Sequence, residues 1–178
     1  MQQVIDEIKE RKEGPAKKPS RLMVWGSIVD DINLYSMIEE LDANIVMDDT
    51  CMGSRNFFPD VKIDGDQLDN LAYRYLMELR CPRTFMEILP RPIKKDYMSD
   101  LKNRFGYLEE YAKEWQVDGV ILQSLRYCDT HGYEVPALRD YFNSIGLPSI
   151  YLEHDYTVPS LAQLRTRVQT FLEIISQG

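Results

Sequence analysis

A cysteine and a histidine stand three residues apart in "SLRYCDTHGYEVPALRDYF" (124–142), directly after the apolar run "DGVILQ". Cys128, on a polar loop leaving a strand, is open to two kinds of role. A thiolate in that place can be stabilised by the N-terminus of the following helix, and can then bind a metal or react. Alternatively, cysteine packs as a small hydrophobe, although a position inside the strand would suit that better. His131 offers a ligand nitrogen or a base, and loop or capping roles are the commoner use of such a residue. The two side chains cannot complete a zinc site by themselves, because zinc takes four ligands.

Other candidates stand at comparable places. Cys51 lies in "DDTCMGSRN", at the end of an apolar run, with Gly53 giving backbone freedom and Arg55 available for an anion. It also reads as a loop thiol that faces the interior. Cys81, in "LRCPR", marks a turn after a helix. Arg165 and Arg167 stand two apart in "LRTRVQTFLE", so on a helix they point to different sides. One can face a ligand rim; the ordinary reading is surface arginines, paired with Glu153 or Asp155. "PRPIKK" (90–95) could meet phosphates, but such charge runs usually face solvent. The chain has no CxxC, no GxGxxG and no GxxxxGK[ST], so no self-contained zinc or nucleotide motif is present.

The elements that must position these residues alternate along the chain. Residues 2–12 predict a short charged helix and 12–20 a linker, so the N-terminal 1–20 stands apart from a lobe of 21–178. Apolar runs at 21–25, 44–49, 119–123 and 148–153 predict four strands, and helical spacing predicts helices at 31–43, about 134–145 and 158–176. Two further helices, at 65–80 and 96–115, form a helical insertion (about 65–116) between strands two and three. This order predicts an α/β fold: a Rossmann-like or flavodoxin-like parallel sheet of about four strands, flanked by helices. Ligands of such sheets bind outside the carboxyl ends of the strands. The loops 26–31, 48–57, 124–133 and 153–159 therefore gather Cys51, Arg55, Cys128, His131 and Asp155 on one rim.

The 178 residues suit one domain, and a net charge of −8 gives no basic surplus for general nucleic-acid binding. Three scattered cysteines make no disulfide framework and suit a reducing compartment. The first twenty residues are too polar for a signal peptide, and no apolar run is long enough to span a membrane. A cytoplasmic location is the expectation.

"DGVILQSLRYCDTHGYEVPALRDYFNSIGLPSIYLEHDY", followed by "LAQLRTRVQTFLEII", resembles the C-terminal lobe of the 2-hydroxyacyl-CoA dehydratase and benzoyl-CoA reductase family. "RLMVWGSIVDD" and "ANIVMDDTCMGSR" resemble the opening of the same lobe, so the likeness covers nearly everything after the linker. It implies two related subunits with Rossmann-like lobes, each with a [4Fe-4S] cluster. It also implies a separate ATP-dependent iron–sulfur activator that supplies low-potential electrons, with ATP used only there. The reaction implied is dehydration of a 2-hydroxyacyl-CoA through a ketyl radical, or reduction of a benzoyl-CoA ring.

By the same resemblance, Cys128 matches the cluster cysteine of the C-terminal lobe, and the other two ligands lie in an N-terminal lobe that this chain does not carry. Cys51 remains a weaker candidate ligand. Arg55, Arg165 and Arg167 are candidates for contacts with CoA or the cluster surroundings. The expectation is a truncated form or one half of a split subunit, inactive alone, since a cubane cluster needs at least three protein thiolates. Two other readings stand beside it: a non-catalytic binding or scaffold lobe, and a flavodoxin-like electron carrier. The loop "GSIVDD" lacks the hydroxyl-rich phosphate cradle that the carrier would use.

Overall fold

Apolar runs with no polar alternation can be buried only if both faces of a sheet are covered, and that is how this chain folds. The computed structural model describes residues 2–14, 16–83, 96–155 and 158–177. Its elements in chain order are α1 (Gln2–Glu10), β1 (Ser20–Gly26), α2 (Ile32–Glu39), β2 (Ala43–Thr50), α3 (Ser54–Phe57) and α4 (Gln67–Tyr73). A π-helical turn (Arg74–Glu78) continues α4, and then come α5 (Tyr97–Glu114), β3 (Gly119–Leu125), α6 (Asp129–Ser144), β4 (Ser149–His154) and α7 (Val158–Ser176). The four strands form one parallel sheet in the order β2-β1-β3-β4. The α/β class and the helical insertion between β2 and β3 are as the sequence predicts.

Successive side chains of a strand point to opposite faces, and this alternation builds two cores. Leu22, Val24, Ile121 and Leu152 pack with α2 and α7 on one face. Met23, Trp25, Val120 and Leu122 pack with α5 and α6 on the other. The chain leaves β1 to one side, for β2, and returns on the other side for β3 and β4. Loops after β1 and β3 therefore diverge, which opens a crevice at their carboxyl ends.

Two glycines let backbone and side chains close on that crevice. Gly26 has φ +149, and a Cβ there would stand 1.8 Å from the Gln123 carbonyl oxygen. At Gly53 a Cβ would overlap the Asp48 carboxylate, 1.4 Å from Oδ2. That carboxylate accepts from Ser54 Oγ and Thr50 Oγ1, each at 2.8 Å, and so holds the turn from β2 into α3.

Three boundaries differ from expectation, each for a local reason. The first helix of the lobe ends at Glu39 rather than 43, because Ala43 already pairs with β1. The helix expected over 65–80 changes at Arg74 into a wider turn, in which the Leu79 N–H reaches the Arg74 carbonyl at 3.0 Å. Most important, α6 begins at Asp129 instead of about 134. The Gly132 N–H closes the first turn on the Cys128 carbonyl at 3.0 Å, and Pro136 sits inside the helix. His131 is thus a first-turn helical residue, not a loop residue. The basic "PRPIKK" lies outside the described residues. No helix among the described residues is long and apolar enough to cross a membrane.

Leu122 is fully buried in the sheet, whereas Ile32 is 74% exposed. Leu122→Ala is expected to cost about 2–5 kcal/mol, through lost burial and the cavity left behind. Ile32→Ala should stay within about 0.5 kcal/mol. Urea unfolding of the two variants beside the parent checks the difference.

Candidate functional site

The carboxyl ends of β1, β2 and β3 bring together residues as distant along the chain as Trp25 and His131. Asp48 and Asp49 are adjacent on β2, so they face opposite sides of the sheet. Asp48 stays on the α2 side, where its charge, behind burial, helps push the Tyr35 hydroxyl up to about 12. Asp49 turns to the other face and is 2% exposed.

There Asp49 meets Arg55, which α3 carries back from six residues along the chain. Arg55 Nε donates to Asp49 Oδ1 at 3.1 Å and Nη2 donates to Oδ2 at 3.0 Å. Nη2 also donates to the Asp49 carbonyl, and Nη1 to the Gly26 carbonyl at 3.3 Å. Nη1 lies 3.0 Å from His131 Nε2 as well. The five N–H groups of the guanidinium are all taken up in this way. Burial works against the charge of Arg55, but the Asp49 carboxylate outweighs it and raises the arginine above its ordinary value. Tyr107 of α5 adds a hydroxyl donor to Asp49 Oδ2 at 2.8 Å. Burial, then the Asp49 charge, pushes that hydroxyl well up.

The network continues to sulfur. His131 Nδ1 lies 3.4 Å from Cys128 Sγ, and His131 Nε2 lies 3.9 Å from Cys51 Sγ. Trp25 packs against both His131 and Arg55, its ring centroid 5.2 Å from that of the imidazole and 5.7 Å from the guanidinium carbon. Burial, followed by the charges of Arg55 and Arg83, holds the His131 pKa down to about 4. Burial pushes the Cys51 thiol up against the pull of Arg55, and the Cys81 and Cys128 sulfurs add to that rise. Cys51 and Cys128 flank the same imidazole, one near each ring nitrogen.

Cys128 itself occupies the N-cap position of α6, half-buried, after Tyr127 has turned the chain at φ +70. Only glycine adopts such a φ freely, so this backbone is held by its surroundings. Tyr127 and Tyr133 beside it are 90% and 85% exposed. A cavity of about 220 Å³ opens there, with Ser124, Cys128, Tyr151 and Glu153 in its walls.

The other predicted residues are elsewhere. Arg165 pairs with Glu40 at 2.8 Å, at the end of α2 and so toward the amino edge of the sheet. Arg167 Nη2 donates to the Tyr151 carbonyl at 2.7 Å, partway along β4. Asp155 pairs with Arg126 at 3.1 Å. Cys81 is buried just before the turn at 82–83, its N–H donating to the Leu79 carbonyl at 2.9 Å. Trp25, Asp49 and Tyr107 were not among the candidates read from sequence. The pair of carboxylates ending an apolar strand, six residues before an arginine, was the available signal for Asp49. Nothing local marked Tyr107.

Among the described residues, no three of His, Cys, Asp and Glu are placed to hold a metal ion. The site presents individual sulfur donors, not a complete ligand set.

The sequence model of the family described as "2-hydroxyglutaryl-CoA dehydratase, D-component" matches residues 1–175. The chain belongs to this family of 2-hydroxyacyl-CoA dehydratases. It is 29% identical over 175 residues to the (R)-phenyllactyl-CoA dehydratase beta subunit of Clostridium sporogenes, covering 98% of this chain and 43% of that protein. It is 25% identical over 157 residues to the beta subunit of lactoyl-CoA dehydratase from Anaerotignum propionicum, 87% of this chain and 38% of the other. The B subunit of benzoyl-CoA reductase from Thauera aromatica is 25% identical over 83 residues, 44% of this chain and 19% of that protein. The chain thus spans less than half the length of these relatives. These relatives are named as subunits of dehydratase or reductase enzymes.

Two outcomes follow from the geometry. Asp49→Ala leaves the Arg55 charge buried without its partner and is expected to cost about 3–5 kcal/mol, read by urea unfolding. For His131, the folded pKa of about 4 lies below the ordinary 6.5. The unfolded chain then binds the extra proton first, so stability is complete above pH 6.5 and falls as pH drops toward 4. Unfolding midpoints across that range should show the loss, and His131→Asn should shrink it.

Proposed function

We propose that this lobe supplies Cys128 as one ligand of a [4Fe-4S] cluster in an acyl-CoA dehydratase or reductase. The observation that carries this reading is a half-buried thiol at the strand-order reversal, beside the His131–Arg55–Asp49 network, in a chain of this family. Cys128 fits as a single sulfur donor: one side meets His131, and the other opens on the cavity flanked by Tyr127 and Tyr133. The remaining ligands would come from an N-terminal lobe outside this chain. Cys51 is the lesser candidate, since burial favours its neutral thiol.

A cluster so held would pass single electrons at low potential to an acyl-CoA thioester, received from a separate ATP-dependent activator. The chain's own residues do simpler work. Trp25 and the buried ion pair exclude water from one side of Cys128, which protects reactive intermediates. Tyr127 and Tyr133 present an exposed aromatic surface where a partner lobe or related second subunit would meet the cysteine. Arg55 has no N–H left for a CoA phosphate, so its part is in the surroundings of Cys128. Contacts of Arg165 and Arg167 with CoA would require them to exchange their present partners.

A second reading has its own support. With no three-ligand group among the described residues, the lobe can act as a scaffold whose partner holds the cluster entirely.

Anaerobic iron–sulfur reconstitution with and without a co-expressed N-terminal lobe separates the two. The expected result is absorption and EPR of a cluster only when both parts are present, with loss in Cys128→Ser. An intact cluster in Cys128→Ser would select the scaffold.

A further inference from the structure

Each ring nitrogen of His131 lies near a cysteine sulfur, Nδ1 at 3.4 Å and Nε2 at 3.9 Å. Only Nε2 also meets a guanidinium, and that closer contact decides which nitrogen carries the proton. On one side stands Arg55 Nη1, 3.0 Å from Nε2. A guanidinium has five N–H donors and no acceptor. Nε2 can therefore make this contact only as an acceptor, with a bare lone pair. If Nε2 carried the proton, two N–H groups would face each other at 3.0 Å in a buried place.

A neutral imidazole has one N–H, so the proton is at Nδ1. Nδ1 lies 3.4 Å from Cys128 Sγ, inside the reach of an N–H to sulfur hydrogen bond. Arg55 cannot swing away to relax this arrangement. Asp49 holds it through Nε and Nη2, and the Asp49 and Gly26 carbonyls take further donors. Tyr107 in turn steadies Asp49 from α5. Trp25, packed against the imidazole at 5.2 Å, restricts its rotation.

We infer that His131 is a positioning residue for Cys128, donating from Nδ1–H to its sulfur in a tautomer that Asp49 and Arg55 set from the opposite side. Asp49 thus accepts from Tyr107 and from Arg55, while Arg55 donates onward to His131 and His131 to sulfur. The bond orients Sγ toward the cavity side and supplies positive potential at it. On any electron-rich group bound through Cys128, such a bond favours the reduced state and raises the potential. That last effect rests on the proposed function; the tautomer does not.

Long-range proton–nitrogen NMR on the ¹⁵N-labelled chain, free of metal, tests the tautomer directly. The chain has two histidines, His131 and His154, so His131→Asn identifies the signals of the first. A proton on Nδ1 of His131 at neutral pH is the expected result, and a proton on Nε2 overturns the inference. The effect on potential is read by redox titration of the assembled, cluster-loaded protein. His131→Leu should lower the midpoint potential, and His131→Asn, whose side-chain N–H occupies the place of Nδ1–H, should retain it. An unchanged potential in His131→Leu would refute the tuning. If no cluster can be assembled through Cys128, the proposed function fails, and the NMR result still decides the tautomer.

Discussion

The Asp49–Arg55 pair is the constraint on which the rest of the site depends. Both side chains are almost wholly removed from water, and charges in that condition are tolerated only when matched and hydrogen-bonded throughout. The matching requires a carboxylate at the end of β2, a cation one short turn later, and carbonyls from two strands. Those demands bring the β2–α3 turn against the end of β1 and allow the helices of the other face to close over it. Replacing such a pair by apolar groups often keeps or improves stability, so its presence is poorly explained by stability alone. Its geometric consequence is clearer. It presents a fixed donor to one nitrogen of His131 and thereby orders the surroundings of Cys128.

The sheet explains why this constellation stands where it does. Parallel strands send all their following loops to one edge, and the reversal of strand order separates the loops after β1 and β3. Residues from three loops and from α5 then converge there. Less regular geometry marks the rim: Gly26 beside the Gln123 carbonyl, Gly53 over Asp48, and Tyr127 in a left-handed conformation. The two glycines allow approaches that a Cβ would block, and Tyr127 is held in its turn by its surroundings.

The site faces two ways. Toward the interior it is saturated: Asp49 accepts from Arg55 and Tyr107, and Ser27 Oγ accepts from the Leu125 N–H at 2.9 Å. Toward the exterior, Cys128 borders a cavity with tyrosines exposed on either side. A hydrogen-bonded interior beside an uncovered aromatic rim supports the proposal that the lobe contributes one face of a shared centre.

Much of the fold was legible in the sequence because parallel strands buried on both faces leave a strong signal. "RLMVW" and "GVILQ" have no polar alternation, and amphipathic segments separate such runs, so the α/β class and the rim of loops followed. The family was legible too, from the stretch around Cys128. Local pattern could not show that α6 starts at Asp129, because Pro136, a residue that favours the first turn of a helix, in fact lies within it. Nor could it show the fate of Arg55. An arginine near a thiol reads as available for an anion until the partner on β2 is seen to take its donors. Tyr107 enters the site from α5 over a separation of 58 residues from Asp49, and no spacing rule reaches that far. Composition and periodicity determined which segments are strands and helices and which loops share an edge. Only tertiary packing decided which polar groups meet there, since pairing of buried charges depends on distance in space and on every neighbour that excludes water.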